Sequence, residues 1–355
     1  MGITTNEILI PQRTFRTKVE KDLEFDTTLT DYCPDVARLI RVDCTPFAES
    51  CSFENGKATV NGKAVYDVLY ETDYKNRLKY CSFTQEFSQT VPVRAAGENA
   101  SVICDVKCER IGCKLLSPRR LIIKATLGAG FELEGESALS VLAVNRDEDT
   151  FFKSKEVEFE GKAAFLEQSF RFAESVALLQ HEKSVGDVVC ASVSLQEPQI
   201  SISGDKAEIK SVATVRTLCE EESNEGSYFV SQKALPISFE IQNELIGESK
   251  RASAVILPTD VAVTPELDQY GESRVLKADF GVKLTLKLNE QRQCAVAEDM
   301  FERDYRSELV FDEVALPQLA LQTEISFTAE GKISDITPRQ EAILDCYVRE
   351  NGVSA

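Results

Sequence analysis

The chain has 355 residues, 43% of them hydrophobic, and a formal net charge of −19 from 59 acidic and 40 basic side chains. That hydrophobic fraction excludes global disorder, and the length asks for more than one hydrophobic core, so that two domains of about 150 residues are the natural division. The acidic balance excludes nucleic acid, whose phosphates demand clustered Lys and Arg, and electrostatic docking on anionic lipid.

The chain opens with MGITTNEILIPQRTFRTKVEKD, which has no signal-peptide core. No apolar run approaches the roughly 20 residues that span a bilayer, so a cytoplasmic protein without membrane insertion is expected. Arg13 to Phe25 is polar and mildly alternating. Its pattern Phe15-Arg16-Thr17-Lys18 recurs as Phe152-Lys153-Ser154-Lys155 and as Tyr305-Arg306-Ser307-Glu308, which marks the beginnings of three units.

From Asp31 to Pro46, Pro34 is expected to open a short helix whose apolar face is Val36, Leu39 and Ile40, and a strand is expected from about Arg41. Lys57 to Glu71 then alternates cleanly. Ala58, Val60, Gly62, Ala64, Tyr66, Val68 and Tyr70 fall on one side, while Lys57, Thr59, Asn61, Lys63, Asp67 and Glu71 fall on the other. This is the pattern of a half-buried strand. It follows the turn signal Glu54-Asn55-Gly56 and is closed by a polar turn over Thr72 to Lys79 with Asn76 at its tip. Further strands are read at Tyr80 to Val93, at Ala100 to Ile111 and, after the turn Ser117-Pro118-Arg119-Arg120, at Leu121 to Leu133.

The same text is then written again. Lys206 to Glu220 keeps the phase of Lys57 to Glu71 after the turn Ser203-Gly204-Asp205, at an offset of 206 minus 57, or 149. Val275 to Leu288 repeats the inward series of Leu121 to Leu133, with Leu127 matched to Phe280 at an offset of 153 and four extra residues assigned to the loop Pro265 to Glu272. The fold class that follows is all-β: tandem β-sandwich or barrel-like repeats with few short helices. The repeats are 1–149 and 150–302, and 303–355 begins an incomplete third, which is expected to pair with the preceding repeat, to remain disordered or, the reading preferred here, to be completed in a longer protein.

The chemistry-bearing residues give no enzyme. His181 is the sole histidine and sits in polar company between repeats. Nucleotide-binding glycine loops and HExxH are absent, and the acidic runs Asp147-Glu148-Asp149 and Glu220-Glu221-Glu222 read as charged loop ends. No cofactor is expected. The 11 cysteines read as small core hydrophobes, and Cys104, Cys108 and Cys113 have neither CxxC spacing nor a neighbouring histidine for zinc.

The run Pro34-Asp35-Val36-Ala37-Arg38-Leu39-Ile40-Arg41-Val42-Asp43, then Glu54-Asn55-Gly56-Lys57, Val60-Asn61-Gly62-Lys63 and Asp67-Val68-Leu69-Tyr70, resembles the SPOCS domain. That domain occurs in tandem in SipL-type spore-coat morphogenetic proteins of anaerobic spore formers. The second repeat matches in phase but not in the Pro-Asp element. The resemblance implies a non-catalytic structural protein that helps assemble the spore envelope in the mother-cell cytoplasm. It would bind a coat scaffold ATPase of the SpoIVA type at the forespore surface. Self-association is a separate expectation, from controlled pairing of the strand edges that β domains offer. In that family a C-terminal LysM domain makes much of the contact, and nothing in these residues resembles LysM. The candidate contact is Pro34, Asp35, Arg38, Arg41 and Asp43, against the plainer reading that Pro34 and Asp35 only start and cap a helix. A carbohydrate-binding or carbohydrate-acting β protein is the alternative; the absence of Trp and the inward phase of Tyr66 and Tyr70 argue against stacking on sugars.

Overall fold

The computed structural model of the chain describes residues 5–75, 77–93, 100–142, 150–161, 164–248, 250–302 and 310. The tip residue Asn76, the acidic run Asp147–Asp149 and the third unit from 303 onward, apart from residue 310, lie outside these. The described residues form antiparallel strands and no helix. The first six are β1 (Thr5–Thr28), β2 (Val36–Glu54), β3 (Lys57–Thr72), β4 (Leu78–Pro92), β5 (Ser101–Ser117) and β6 (Arg120–Leu142). The next eight are β7 (Thr150–Glu160), β8 (Ala164–Ala177), β9 (Val185–Leu195), β10 (Gln199–Ser203), β11 (Lys206–Glu221), β12 (Tyr228–Gln242), β13 (Lys250–Leu267) and β14 (Ser273–Glu302).

Alternation places β3 and β6 at the centres of two sheets. β3 lies between β2 and β4, and β6 between β1 and β5. The inward sides of both meet in one core: Val60, Tyr66, Val68 and Tyr70 from β3 join Leu121, Ile123, Leu127, Phe131 and Leu133 from β6. All are essentially inaccessible to water. Each such side chain contributes roughly 1.5–3 kcal/mol of transfer free energy, so the two faces close into a sandwich. Asn55 and Gly56, at φ 50° and 69°, make the left-handed hairpin turn that starts β3. At Gly62 a Cβ would stand 2.1 Å from the Phe47 carbonyl oxygen, so only glycine fits that inward position.

The second half repeats the design with two strands broken. β11 lies between β12 and the pair β9 and β10, and β14 between β13 and the pair β8 and β7. Ala207, Ile209, Ala213, Val215 and Cys219 face the row Leu276, Ala278, Phe280, Val282, Leu284, Leu286 and Leu288. The ladder irregularities recur as well: Ala37 and Ile40 are the extra residues where β2 pairs β3, and Gly186 and Val189 where β9 pairs β11, each 149 positions on. Bulges at the same rungs are a stronger mark of repetition than hydrophobic phase.

Those rungs also correct one offset. Leu127 pairs Cys108 where β5 bulges, and Val282 pairs Pro258 where β13 bulges. The structural match of Leu127 is therefore Val282, at 282 minus 127, or 155, and not Phe280. A slip of two residues leaves every side chain on its original face, so alternation alone could not detect it. The insertion sits in the turn after β13, at residues 268–272, where the first repeat has only Pro118 and Arg119.

The short helix expected at Pro34 does not form. Asp31–Cys33 is a turn and the strand begins at Val36. The backbone N–H groups that a helix would have used are taken by the sandwich: Val36 N–H donates to Pro118 O at 2.8 Å, and Val36 pairs with Thr72. β-branched Val36, Ile40 and Val42 favour the strand once that partner is present.

The two sandwiches touch through their outer faces. Leu69 with Leu78 and Tyr80 packs on Val189 and Leu218 with Cys190, Tyr228 and Val230. Around this patch Lys79 Nζ meets Asp187 Oδ2 at 2.7 Å and Arg77 Nη2 meets Glu220 Oε2 at 2.5 Å. Leu78 N–H donates to Tyr228 Oη at 2.8 Å. At a second contact, Lys283 Nζ donates to Ala48 O at 3.2 Å, and Arg292 Nη1 to Leu9 O at 3.2 Å.

Candidate functional site

The Pro-Asp segment lies at the loop end of the first sandwich, and an arginine that the sequence reading took for part of a turn organises it. Arg119 Nη2 donates to Thr30 O at 2.8 Å, and Nη1 donates to Cys33 O at 3.1 Å and Asp35 Oδ1 at 2.9 Å. A planar guanidinium suits this task, because its fork reaches two backbone carbonyls and a carboxylate together. Leu29 N–H donates to Arg119 O and Asp73 N–H to Asp35 O, which ties the β1–β2 turn to the β5–β6 and β3–β4 turns respectively. Tyr70 Oη donates to Pro34 O at 3.4 Å from the core below. Burial, with the Cys33 thiol, pushes the Tyr70 phenol well above its ordinary value, so it remains a neutral donor.

Pro34 and Asp35 are thus parts of a clamped turn. Of the other candidates, Arg38 pairs with Glu71 at 2.9 Å across β2 and β3, and Arg41 with Asp43 at 2.9 Å along β2. The structure strings the five along one edge without converging them on a common point. Arg38 remains mostly open to solvent. It shares this end of the sandwich with Tyr32 and Tyr74, which are 87% and 69% exposed and stand on the two turns that Asp35 and Asp73 join. Neither tyrosine was singled out from the sequence. Tyr66 and Tyr70 are fully buried, as their phase required.

The second repeat keeps the clamp and loses the Pro-Asp element. Leu178 N–H donates to Arg274 O, and Arg274 Nη2 donates to Leu179 O at 2.6 Å and Glu182 O at 3.1 Å. By the 149-residue spacing of the bulges, Lys183 and Ser184 stand where Pro34 and Asp35 stand in the first repeat. Glu182 takes over as the anchor. Burial opposes its ionisation, but Lys233 Nζ, with the Leu179 N–H and the Ser231 hydroxyl, outweighs burial and holds its carboxyl below the usual range.

The cysteines lie mostly against the cores. Cys104, Cys108 and Cys113 are spread along β5 opposite Phe131, Leu127 and Ile123. Among the described residues no three His, Cys, Asp or Glu side chains converge as ligands for a metal. Burial pushes Cys81 and Cys219 up to about 12, which makes them inert thiols at neutral pH. No helix among the described residues is long and apolar enough to cross a membrane.

Residues 35–116 match the family model described as SipL, SPOCS domain. No curated protein and no solved structure matches the chain. The matched segment comprises β2, β3, β4 and nearly all of β5, and begins at the clamped Asp35. β1 and β6, which complete the sandwich, fall outside it.

Proposed function

We propose that this protein is a non-catalytic structural component of spore-coat assembly, acting in the mother-cell cytoplasm at the forespore surface. It presents the loop end of its first sandwich to a coat scaffold ATPase of the SpoIVA type, and its β domains self-associate. The observation that carries this reading is the SPOCS match over residues 35–116. It is supported by the form of the site: a turn held by Arg119 at three acceptors is rigid, and it offers Tyr32, Arg38 and Tyr74 to a partner at little further cost in order. Aromatic and arginine side chains on a preorganised surface are what protein partners select as anchors. Pro34, Asp35, Arg41 and Asp43 then shape the surface.

The test is a fluorescent fusion of the chain in sporulating cells of its source. A shell around the forespore is expected, with Tyr32→Ala/Arg38→Ala/Tyr74→Ala reducing it while the purified variant keeps the wild-type melting temperature. A signal confined to growing cells, or a shell indifferent to that triple variant, would overturn the role or the surface respectively.

A further inference from the structure

Beyond the assembly role, the first sandwich carries a pair of thiols that the second replaces with hydrocarbon. Cys51 lies on β2 opposite Val60, and Cys104 on β5 opposite Phe131. β2 and β5 belong to different sheets but run close together along one edge of the sandwich, and the two thiols meet there. Both are half-buried and pack against the core. The same rungs of the second repeat hold Ile200, opposite Ile209 on β10, and Ala254, opposite Leu286 on β13. Both of those pack against the second core. An apolar contact is thus sufficient for the fold at this place, and the thiols need another explanation.

We propose that Cys51 and Cys104 are a reactive dithiol that closes to an intramolecular disulfide when a peroxide oxidises it, stapling β2 to β5 and locking the two sheets of the first sandwich. The thiols hydrogen-bond to each other. The Cys104 thiol stabilises Cys51 as thiolate and holds it below the ordinary thiol value, against burial and the Glu167 carboxylate of the second sandwich. That hydrogen bond, with burial, keeps Cys104 protonated. One sulfur is therefore the nucleophile and the other the resolving thiol.

The balance is simple. The Cys51 thiolate attacks one peroxide oxygen, the O–O bond breaks, and hydroxide leaves and takes up a proton as water. The resulting sulfenic acid is attacked by the Cys104 sulfur; the S–O bond breaks, the S–S bond forms, and a second water leaves with the Cys104 proton. Hydrogen peroxide is reduced to two waters, and two thiols are oxidised to one disulfide.

The experiment uses the full chain, reduced, freed of reductant and treated with one equivalent of hydrogen peroxide, then digested without reduction and mapped by mass spectrometry. A peptide joining Cys51 to Cys104 is expected as the dominant link. The melting temperature should rise by about 5 °C or more, as expected for closing a loop of some 50 residues, and return on reduction. Cys51→Ile/Cys104→Ala, which copies the second repeat and so should fold, must show no peroxide-dependent rise. Links that pair Cys51 with another thiol, sulfinic acid at Cys51 without a disulfide, or an equal rise in the double variant would each overturn the proposal.

Discussion

Lys75 Nζ stands 2.8 Å from Glu225 Oε2, and the two residues occupy the same place in the two repeats, 225 minus 75, or 150, positions apart. Leu78 and Tyr228, joined by a hydrogen bond, are related in the same way, and Leu69 and Leu218 share one apolar cluster. Contact between equivalent residues is the mark of an interface around an approximate twofold axis. Two identical copies meeting there would set lysine against lysine or glutamate against glutamate. The opposite charges favour the first repeat against the second over either against itself.

That selectivity gives a salt-dependent expectation. Lys75→Glu should lower the melting temperature by about 1–2 °C at low ionic strength, and Glu225→Lys in the same chain should restore it. At high salt the single and double variants should melt together, because the pair is exposed and screened. A loss that persists at high salt would show that the charge is not its cause.

The larger share of the electrostatic contact rests on Glu220, which is 2% exposed and accepts from Arg77 and from Gly226 N–H at 2.8 Å. Glu220→Ala leaves the Arg77 guanidinium unpaired beside the apolar patch. The expected loss is about 2 kcal/mol, between the values for exposed and buried pairs, read from the urea midpoint. Adding Arg77→Met should recover part of it.

Acid should loosen the second repeat at its clamped turn. Glu182 has its folded value depressed below the ordinary 4.5, so its contribution is complete above that value and is lost as the pH falls through the folded one. Glu182→Gln should flatten the stability profile below about pH 4.5 and cost stability at neutral pH. Denaturant titrations across this range in wild type and variant measure the difference.

Removing the guanidinium at the first clamp should release the Pro-Asp turn without unfolding the sheets. Arg119→Ala strands the Thr30 and Cys33 carbonyls and the Asp35 carboxylate, at a cost of about 2 kcal/mol. Chymotrypsin should then cut after Tyr32 several-fold faster, while Arg274→Ala leaves that site unchanged.

Much of the fold was legible because β3, β6, β11 and β14 bury one face each, and period-two alternation reports that directly. The helix at Pro34 was misread because proline followed by apolar residues at mixed spacing fits a helix start as well as a clamped strand entry. Only the Arg119 hairpin, some 80 residues on, decides between them. The contact between repeats left a signal that went unused: Leu69 and Leu218 are apolar on the outward face at the same rung. Tyr32 and Tyr74 could not be found by pattern, since loop residues have no period.

β1 and β6 run antiparallel side by side from Thr5 opposite Leu142 to Thr28 opposite Arg120. The chain therefore leaves the first sandwich beside the point where it entered. A unit threaded this way can be duplicated, deleted or moved within a gene without rerouting its neighbours, and the number of sandwiches becomes a quantity that evolution can adjust like the length of a chain of beads.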